Sequence, residues 1–275
     1  MDQFIYNGKF YNDGEPVVGP SNRGLRFGDG IFESMKCTDG KLEFAKEHFE
    51  RLWKGMHVLK FEIPIHFNPG KLEEMVLNLC NKNGHESLAR VRVTVFRGDG
   101  GIFDAENDHP NYIIQSWSIS EAQTGFNNNG LVLGIFDATK KNIDLLANLK
   151  HNNYLPNVVA AQFAKEQKWN DAVLLNSNDH VCESTIANIF IVKDGKILTP
   201  ALSDGCIAGV MRQQVIDQLK KNNYAVEENS ITIEELLNAD EVFLTNSISN
   251  MRWVQSIGVT SYSNQFTKKI YDALF

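Results

Sequence analysis

The chain has 275 residues with 27 Lys and Arg against 34 Asp and Glu, a formal charge of −7, and a sequence pI near 5.5. An acidic balance without any Lys/Arg block excludes the electrostatic footprint of a general nucleic-acid or anionic-membrane binder, and 43% hydrophobic with 22% charged residues excludes wholesale disorder. No window approaches the roughly 20 apolar residues of a bilayer span, and the start MDQFIYNGKFYNDGEP lacks the basic-then-apolar pattern of a secretion signal, so a cytoplasmic protein is expected.

The opening FIYNGKFYNDGEPV reads as a hairpin, because Asn7-Gly8 and Asp13-Gly14 are turn-forming pairs. From Ala45, residues Phe49, Leu52, Trp53, Met56 and Leu59 recur at three- and four-residue steps, which predicts an amphipathic helix ending before Pro64. A second helix is predicted from Lys71 to Asn81, after the breaker Asn68-Pro69-Gly70. Arg90 to Arg97 alternates, with Val91, Val93 and Val95 on one face, as a strand that stops at Gly98-Asp99-Gly100-Gly101.

The polar, turn-rich SISEAQTGFNNNG marks a boundary. It divides the chain into a domain of residues 1–120, a linker at 121–130 and a domain of residues 131–275. The second domain opens with the apolar strand at 131–136. There follow a helix near 154–168, strands at 172–175 and 187–192, the turn at 193–196, a helix at 209–222, and strands at 225–228 and 242–245. Strands and helices mix without a regular βαβ repeat, so the class is α+β. Cys37, Cys80, Cys182 and Cys206 form no CxxC pair and have no His at metal-ligand spacing, so free buried thiols are expected, with no metal.

No Walker loop, GxGxxG, GxSxG or HExxH motif is present. RGDGG at 97–101 has clustered glycines after a strand but lacks the Lys-Ser/Thr that a phosphate loop needs. More specific is an ordered set of four segments: NRGLRFGDGIFE at 22–33, HFERL at 48–52, LKHNNYL at 149–155, and VCESTIANIF at 181–190 continuing to Thr199-Pro200 and to AGVMR at 208–212.

In order and spacing this set resembles the class IV aminotransferases, the fold-type IV pyridoxal-phosphate enzymes that include branched-chain and D-amino-acid aminotransferases and aminodeoxychorismate lyase. The resemblance covers roughly residues 3 to 273. It implies a two-domain α+β fold, with a small N-terminal α/β domain and a larger C-terminal domain of mixed, barrel-like sheet with helices. It also implies pyridoxal 5′-phosphate as cofactor and a homodimer.

The resemblance further assigns roles. Lys150 matches the lysine that holds the cofactor as a Schiff base and moves the substrate proton. Glu183 matches the glutamate that keeps the pyridine nitrogen protonated, so that the ring works as an electron sink. Val210 and Met211 open a helix whose N–H groups would bind the phosphate; many relatives carry Thr at the position of Met211. Arg51 matches the phosphate-binding arginine, and Asn246 and Ser247 match a second phosphate contact.

Substrate residues separate the reactions on this scaffold. D-amino-acid aminotransferases carry a tyrosine where this chain has Phe32, and an Arg-x-His pair where it has Ile102-Phe103-Asp104. Branched-chain enzymes carry an aromatic residue then glutamate at Phe32-Glu33 and a strand arginine at Arg92, but their Gly-Gly pair after the lysine is absent. The lyases match Lys150-His151 with Asn153, the 209–213 segment, and RGDGG headed by Arg97, yet Ile102 replaces one of their loop arginines. The resemblance therefore implies an aminotransferase acting on a small amino acid and a 2-oxo acid, of branched-chain type. Aminodeoxychorismate lyase, making 4-aminobenzoate and pyruvate, stands as the alternative, and a non-catalytic cofactor-binding protein as a second one.

Overall fold

The turn chemistry at the N-terminus sets the first strand pairing. Asn7 and Gly8 take φ of 46° and 82°, the left-handed pair that matches a two-residue hairpin loop to the twist of its strands, and they join β1 (Gln3–Tyr6) to β2 (Lys9–Asn12). The structure, a computed structural model, describes residues 2–275. It divides into two units, one running from the first described residue to 123 with 149–153 and the other of residues 124–148 with 154–275. The break after Gln123 falls inside the polar stretch at 121–130. The excursion at 149–153 gives no signal in the sequence pattern.

In the first unit the chain continues through α1 (Arg23–Phe27), β3 (Gly30–Thr38), β4 (Lys41–Leu42), α2 (Ala45–Val58), α3 (Pro69–Asn83), β5 (Leu88–Arg97) and β6 (Pro110–Ser118). Asn68-Pro69-Gly70 does not break the chain before a later helix: it starts α3. The Asn68 side chain accepts from the Lys71 N–H and Pro69 takes the first helical turn, where its missing N–H costs nothing. The six strands form one antiparallel sheet in the order β2-β1-β6-β5-β3-β4. Alternation then sorts its residues. Ile31, Met35, Val91, Val93 and Val95 join Phe49, Leu52 and Met56 of α2 and Leu72, Val76 and Leu79 of α3 in one core. Phe32, Arg92 and Thr94 belong to the opposite face, since Phe32 pairs with Thr94 and Ser34 with Arg92.

The second unit contains β7 (Leu131–Lys141), α4 (Leu155–Glu166), β8 (Asp171–Asn176), β9 (Val181–Ser184), β10 (Asn188–Lys193), β11 (Lys196–Thr199), α5 (Val210–Lys221), β12 (Val226–Glu228), α6 (Ile233–Leu237), β13 (Glu241–Asn246), β14 (Asn250–Ile257), β15 (Thr260–Ser261) and α7 (Gln265–Leu274). Its mixed sheet runs β12-β11-β10-β13-β14-β7-β8-β9, with β15 on β14. Pairs β11–β12, β14–β7 and β7–β8 are parallel. Asn127, within the polar stretch, exchanges three hydrogen bonds with Trp253 at 2.6–3.0 Å, which pins that stretch to β14. The class is α+β. All four cysteines are free and buried. No helix is long and apolar enough to cross a membrane, and no cluster of His, Cys, Asp and Glu suited to a metal occurs among the described residues.

Candidate active site

Two of the sequence segments meet in the first unit. The Phe32 N–H donates to the Lys150 carbonyl at 2.8 Å and the Asn152 N–H to the Gly30 carbonyl at 2.9 Å, with Ile31 bridged to His151. The glycines of FGDG make this approach possible. A Cβ at Gly30 would lie 2.4 Å from the Val95 carbonyl oxygen and 2.6 Å from Asn152 Nδ2, and Gly28, at φ +64°, would meet Asn153 Oδ1 at 2.2 Å. Asp29 between them accepts from Arg23 Nε at 2.9 Å and Arg97 Nε at 3.0 Å, tying α1 to β5.

This backbone places Lys150 Nζ 4.6 Å from the centroid of the Phe32 ring, while the Arg92 guanidinium lies 3.7 Å from the same centroid. Arg92 is further oriented by donation to Thr94 Oγ1 at 3.0 Å. A small recess beside Lys150 is lined by Ile31, Phe32, Leu52 and Leu149, with Glu33 and Arg51.

Glu33 belongs to the helix-facing side of β3 and is 1% exposed. Arg51 grips it bidentately, Nε to Oε1 at 2.8 Å and Nη2 to Oε2 at 2.5 Å, and His48 Nδ1 lies 2.7 Å from Oε2. Burial alone would raise the Glu33 pKa, but Arg51 and His48 hold it at about 2. The carboxylate is therefore ionised and His48 Nδ1 is the donor. Glu33 thus serves as the buried anchor of Arg51. No motif assigns His48 a role, although His48 and Arg51, three residues apart on one helix, share a face.

Arg97, expected as a substrate residue, is 7% exposed and spends its guanidinium elsewhere. It donates to Asp29 and Asp108 and, at 2.6 Å, to the Leu59 carbonyl, and it stacks on Phe61. Its three nitrogens each have a structural partner, so it is a strut between β5 and the end of α2.

In the second unit Glu183, on β9, is 3% exposed. Its Oε2 accepts from the Ile207 N–H at 2.9 Å and its Oε1 lies 2.9 Å from Lys141 Nζ. The Cys206–Gly209 loop that supplies this N–H is itself fixed. Asn148 Nδ2 donates to the Leu202 and Cys206 carbonyls at 2.8 and 2.7 Å, and Asn188 Nδ2 to the Ile207 carbonyl at 2.9 Å. The loop leads straight into α5. Val210 and Met211 occupy its first turn, both buried, and Gly209 at the N-cap supplies no side chain to cap the helix, so the first-turn N–H groups have no side-chain acceptor there. Arg212, 2% exposed, anchors the helix to the Pro200 carbonyl and Glu228. At the end of β13 the Asn246 side-chain oxygen accepts from Ile248 N, Ser249 N and Ser249 Oγ at 2.8–3.0 Å. It closes the turn that carries Ser247.

The model of the family described as amino-transferase class IV matches residues 30–257. The chain belongs to this class IV aminotransferase family. Aminodeoxychorismate lyase of Vibrio harveyi is 31% identical over 86% of this chain and 86% of its own length. The branched-chain aminotransferase of Thermoproteus uzoniensis, solved with norvaline, superposes with a TM-score of 0.89 at 22% identity, covering 99% of this chain and 93% of its own. The branched-chain amino acid aminotransferase of T.th., complexed with N-(5′-phosphopyridoxyl)-L-glutamate, gives 0.87 at 22%, covering 99% and 92%. At that identity the structural likeness establishes the fold. As a class IV aminotransferase-family enzyme the protein works with pyridoxal 5′-phosphate. Each unit supplies groups of the kind that cofactor needs: the first a lysine amine on a fixed backbone, the second a buried carboxylate and an uncapped helix start.

Proposed function

We propose that the protein is an aminotransferase acting on a small apolar amino acid and a 2-oxo acid, of branched-chain type. The observation that carries the choice of reaction is the commitment of Arg97 to Asp29, Asp108 and the Leu59 carbonyl. With Arg97 withdrawn, Arg92 on the Phe32 ring is the β5 arginine placed beside Lys150, which suits one substrate carboxylate rather than two. The Phe32 ring, which lies beside both Lys150 and Arg92, offers the substrate side chain an apolar neighbour rather than a second charge.

When bound, pyridoxal 5′-phosphate supplies the electron sink that makes the substrate α-hydrogen removable. Lys150 would hold it covalently and, once released by the incoming amine, move the proton at the substrate α-carbon. Glu183 would face the ring nitrogen and keep it protonated. The N–H groups of Val210 and Met211 would take the phosphate at the positive end of α5, with Asn246 and Ser247 as further donors. Arg51, fixed by Glu33 and His48, would add charge for the phosphate.

The identity to the Vibrio harveyi lyase favours a second reading, aminodeoxychorismate lyase. The visible spectrum of the loaded protein, taken before and after addition of single L- and D-amino acids, decides between them. Conversion to the pyridoxamine form by L-leucine or L-glutamate supports transamination; a spectrum that no amino acid changes, with release of 4-aminobenzoate from aminodeoxychorismate, supports the lyase. A homodimer also forms part of this reading. Leu155, Val158 and Val159 are exposed along one face of α4, and sedimentation equilibrium tests it.

A further inference from the structure

In the sequence Lys141 follows Lys140 in an ordinary polar run. The fold separates the two. Lys140 pairs at the surface with Asp179, whereas the Lys141 side chain is 8% exposed and ends 2.9 Å from Glu183 Oε1. The register explains the meeting. Lys141 on β7 pairs with Asn176 of β8 and Glu183 on β9 with Leu174 of β8, so the two side chains reach each other diagonally across one strand, on one face.

Such a pair is a poor choice for stability alone. Taking an ammonium and a carboxylate out of water costs several kcal/mol per ion, and apolar residues of similar volume are often as stable or better. The ladder hydrogen bonds of β7, β8 and β9 already hold these strands. A carboxylate retained for chemistry, however, cannot be 3% exposed without a counter-charge. The remaining ionisable groups close by do not supply one. Burial pushes the Cys206 thiol up to about 12 and raises Cys182 as well, so both stay neutral. Asp204 receives Ser230, and Arg212 is turned to Pro200 and Glu228. Lys141 itself is held above the ordinary lysine value, since burial pulls it down but the Glu183 charge more than offsets that.

We propose that Lys141 is a positioning residue for Glu183: its ammonium holds one carboxylate oxygen while the Ile207 N–H holds the other, which presents the carboxylate to the cofactor ring nitrogen as an anion in a single orientation. The proposal rests on the assignment of Glu183 to the ring nitrogen made above. It also gives Lys141 an electrostatic role. A cation on the far side of Glu183 stabilises the charged carboxylate, so a proton shared between Glu183 and the ring resides on the ring.

The test uses the full chain, stripped of cofactor, as wild type, Lys141→Met, Lys141→Gln, Lys141→Arg, Glu183→Gln and Lys141→Met/Glu183→Gln. Each is titrated with pyridoxal 5′-phosphate and with its 1-deaza analogue, in which C–H replaces the ring nitrogen. Binding is followed by tryptophan fluorescence, and the absorbance of the bound cofactor is recorded against pH. Lys141→Met is expected to weaken the natural cofactor about tenfold or more, to leave the deaza analogue within about twofold, and to shift the pH midpoint of the absorbance upward through loss of a neighbouring positive charge. Lys141→Arg should restore both readouts. In the Glu183→Gln background the Lys141 change should add nothing.

Equal weakening of both ligands, or an unchanged affinity and pH response in a folded Lys141→Met protein, overturns the proposal. Lys141→Gln answers in the same way if the Met variant does not fold. A wild type that binds neither ligand overturns the cofactor assignment itself, which is visible before any variant is compared.

Discussion

Glu33 holds Arg51 by both carboxylate oxygens, at 2.8 and 2.5 Å, from the helix-facing side of β3. Glu33 is buried, Arg51 is largely so, and the pairing holds the Glu33 carboxyl at about 2 rather than 4.5. A carboxylate depressed in the folded state contributes stability that is complete above its unfolded value and is lost as pH falls through the folded one. Stability should therefore drop by about 3 kcal/mol between pH 4.5 and 2 on account of this group. Glu33→Gln should lack that share of the acid transition, and at neutral pH should be less stable by about 3 kcal/mol, because Arg51 is left without its counter-charge. Urea titrations at several pH values measure both.

Replacing Lys150 by Ala should leave the fold intact, since the segment is held by backbone bonds of Gly30 and Phe32 rather than by the side chain. Turnover should fall by about a thousandfold or more, and the cofactor should be lost on gel filtration. A variant that keeps substantial activity would remove the central assignment.

The two arginines of β5 should fail differently. Arg92→Gln should raise KM for amino acids by about ten- to a hundredfold, the worth of a charge-assisted bond, with little change in melting temperature. Arg97→Gln leaves Asp29 with Arg23 alone and takes the donors from Asp108 and the Leu59 carbonyl; it should cost about 1–3 kcal/mol of stability, with KM nearly unchanged in the folded fraction. Paired thermal melts and initial-rate kinetics separate these outcomes; a KM effect confined to Arg97→Gln would favour the lyase reading.

Gly30→Ala forces a methyl group against the Val95 carbonyl and Asn152. A loss of about 1–3 kcal/mol is expected, together with weaker cofactor retention, because the clash falls on the segment carrying Lys150. Denaturant midpoints and cofactor titration of the variant check both effects.

Elements with strong local signals were legible in the sequence. The Asn7-Gly8 hairpin and the α2 stripe of Phe49, Leu52 and Met56 stand as expected, because turn chemistry and helical period act within a few residues. Pro69 misled because one residue both ends helices and begins them, and only the Asn68 cap tells which. The site was less legible. That Arg97 is a strut and that Lys141 reaches Glu183 depend on partners 68, 11 and 42 residues away in the chain, and no local pattern encodes such meetings. His48 with Arg51 was the exception, since their spacing on α2 was already on view.

The first unit owns residues 149–153 although its other residues end at 123. A fragment cut at that break would retain the sheet but leave the Gly30 carbonyl and the Phe32 N–H at the start of β3 without their partners. Expressed alone, it should be sticky and short-lived. During synthesis the same gap leaves the Gly30 carbonyl and the Phe32 N–H without partners until about 30 further residues have been added, so the segment bearing Lys150 is the last piece the first unit receives.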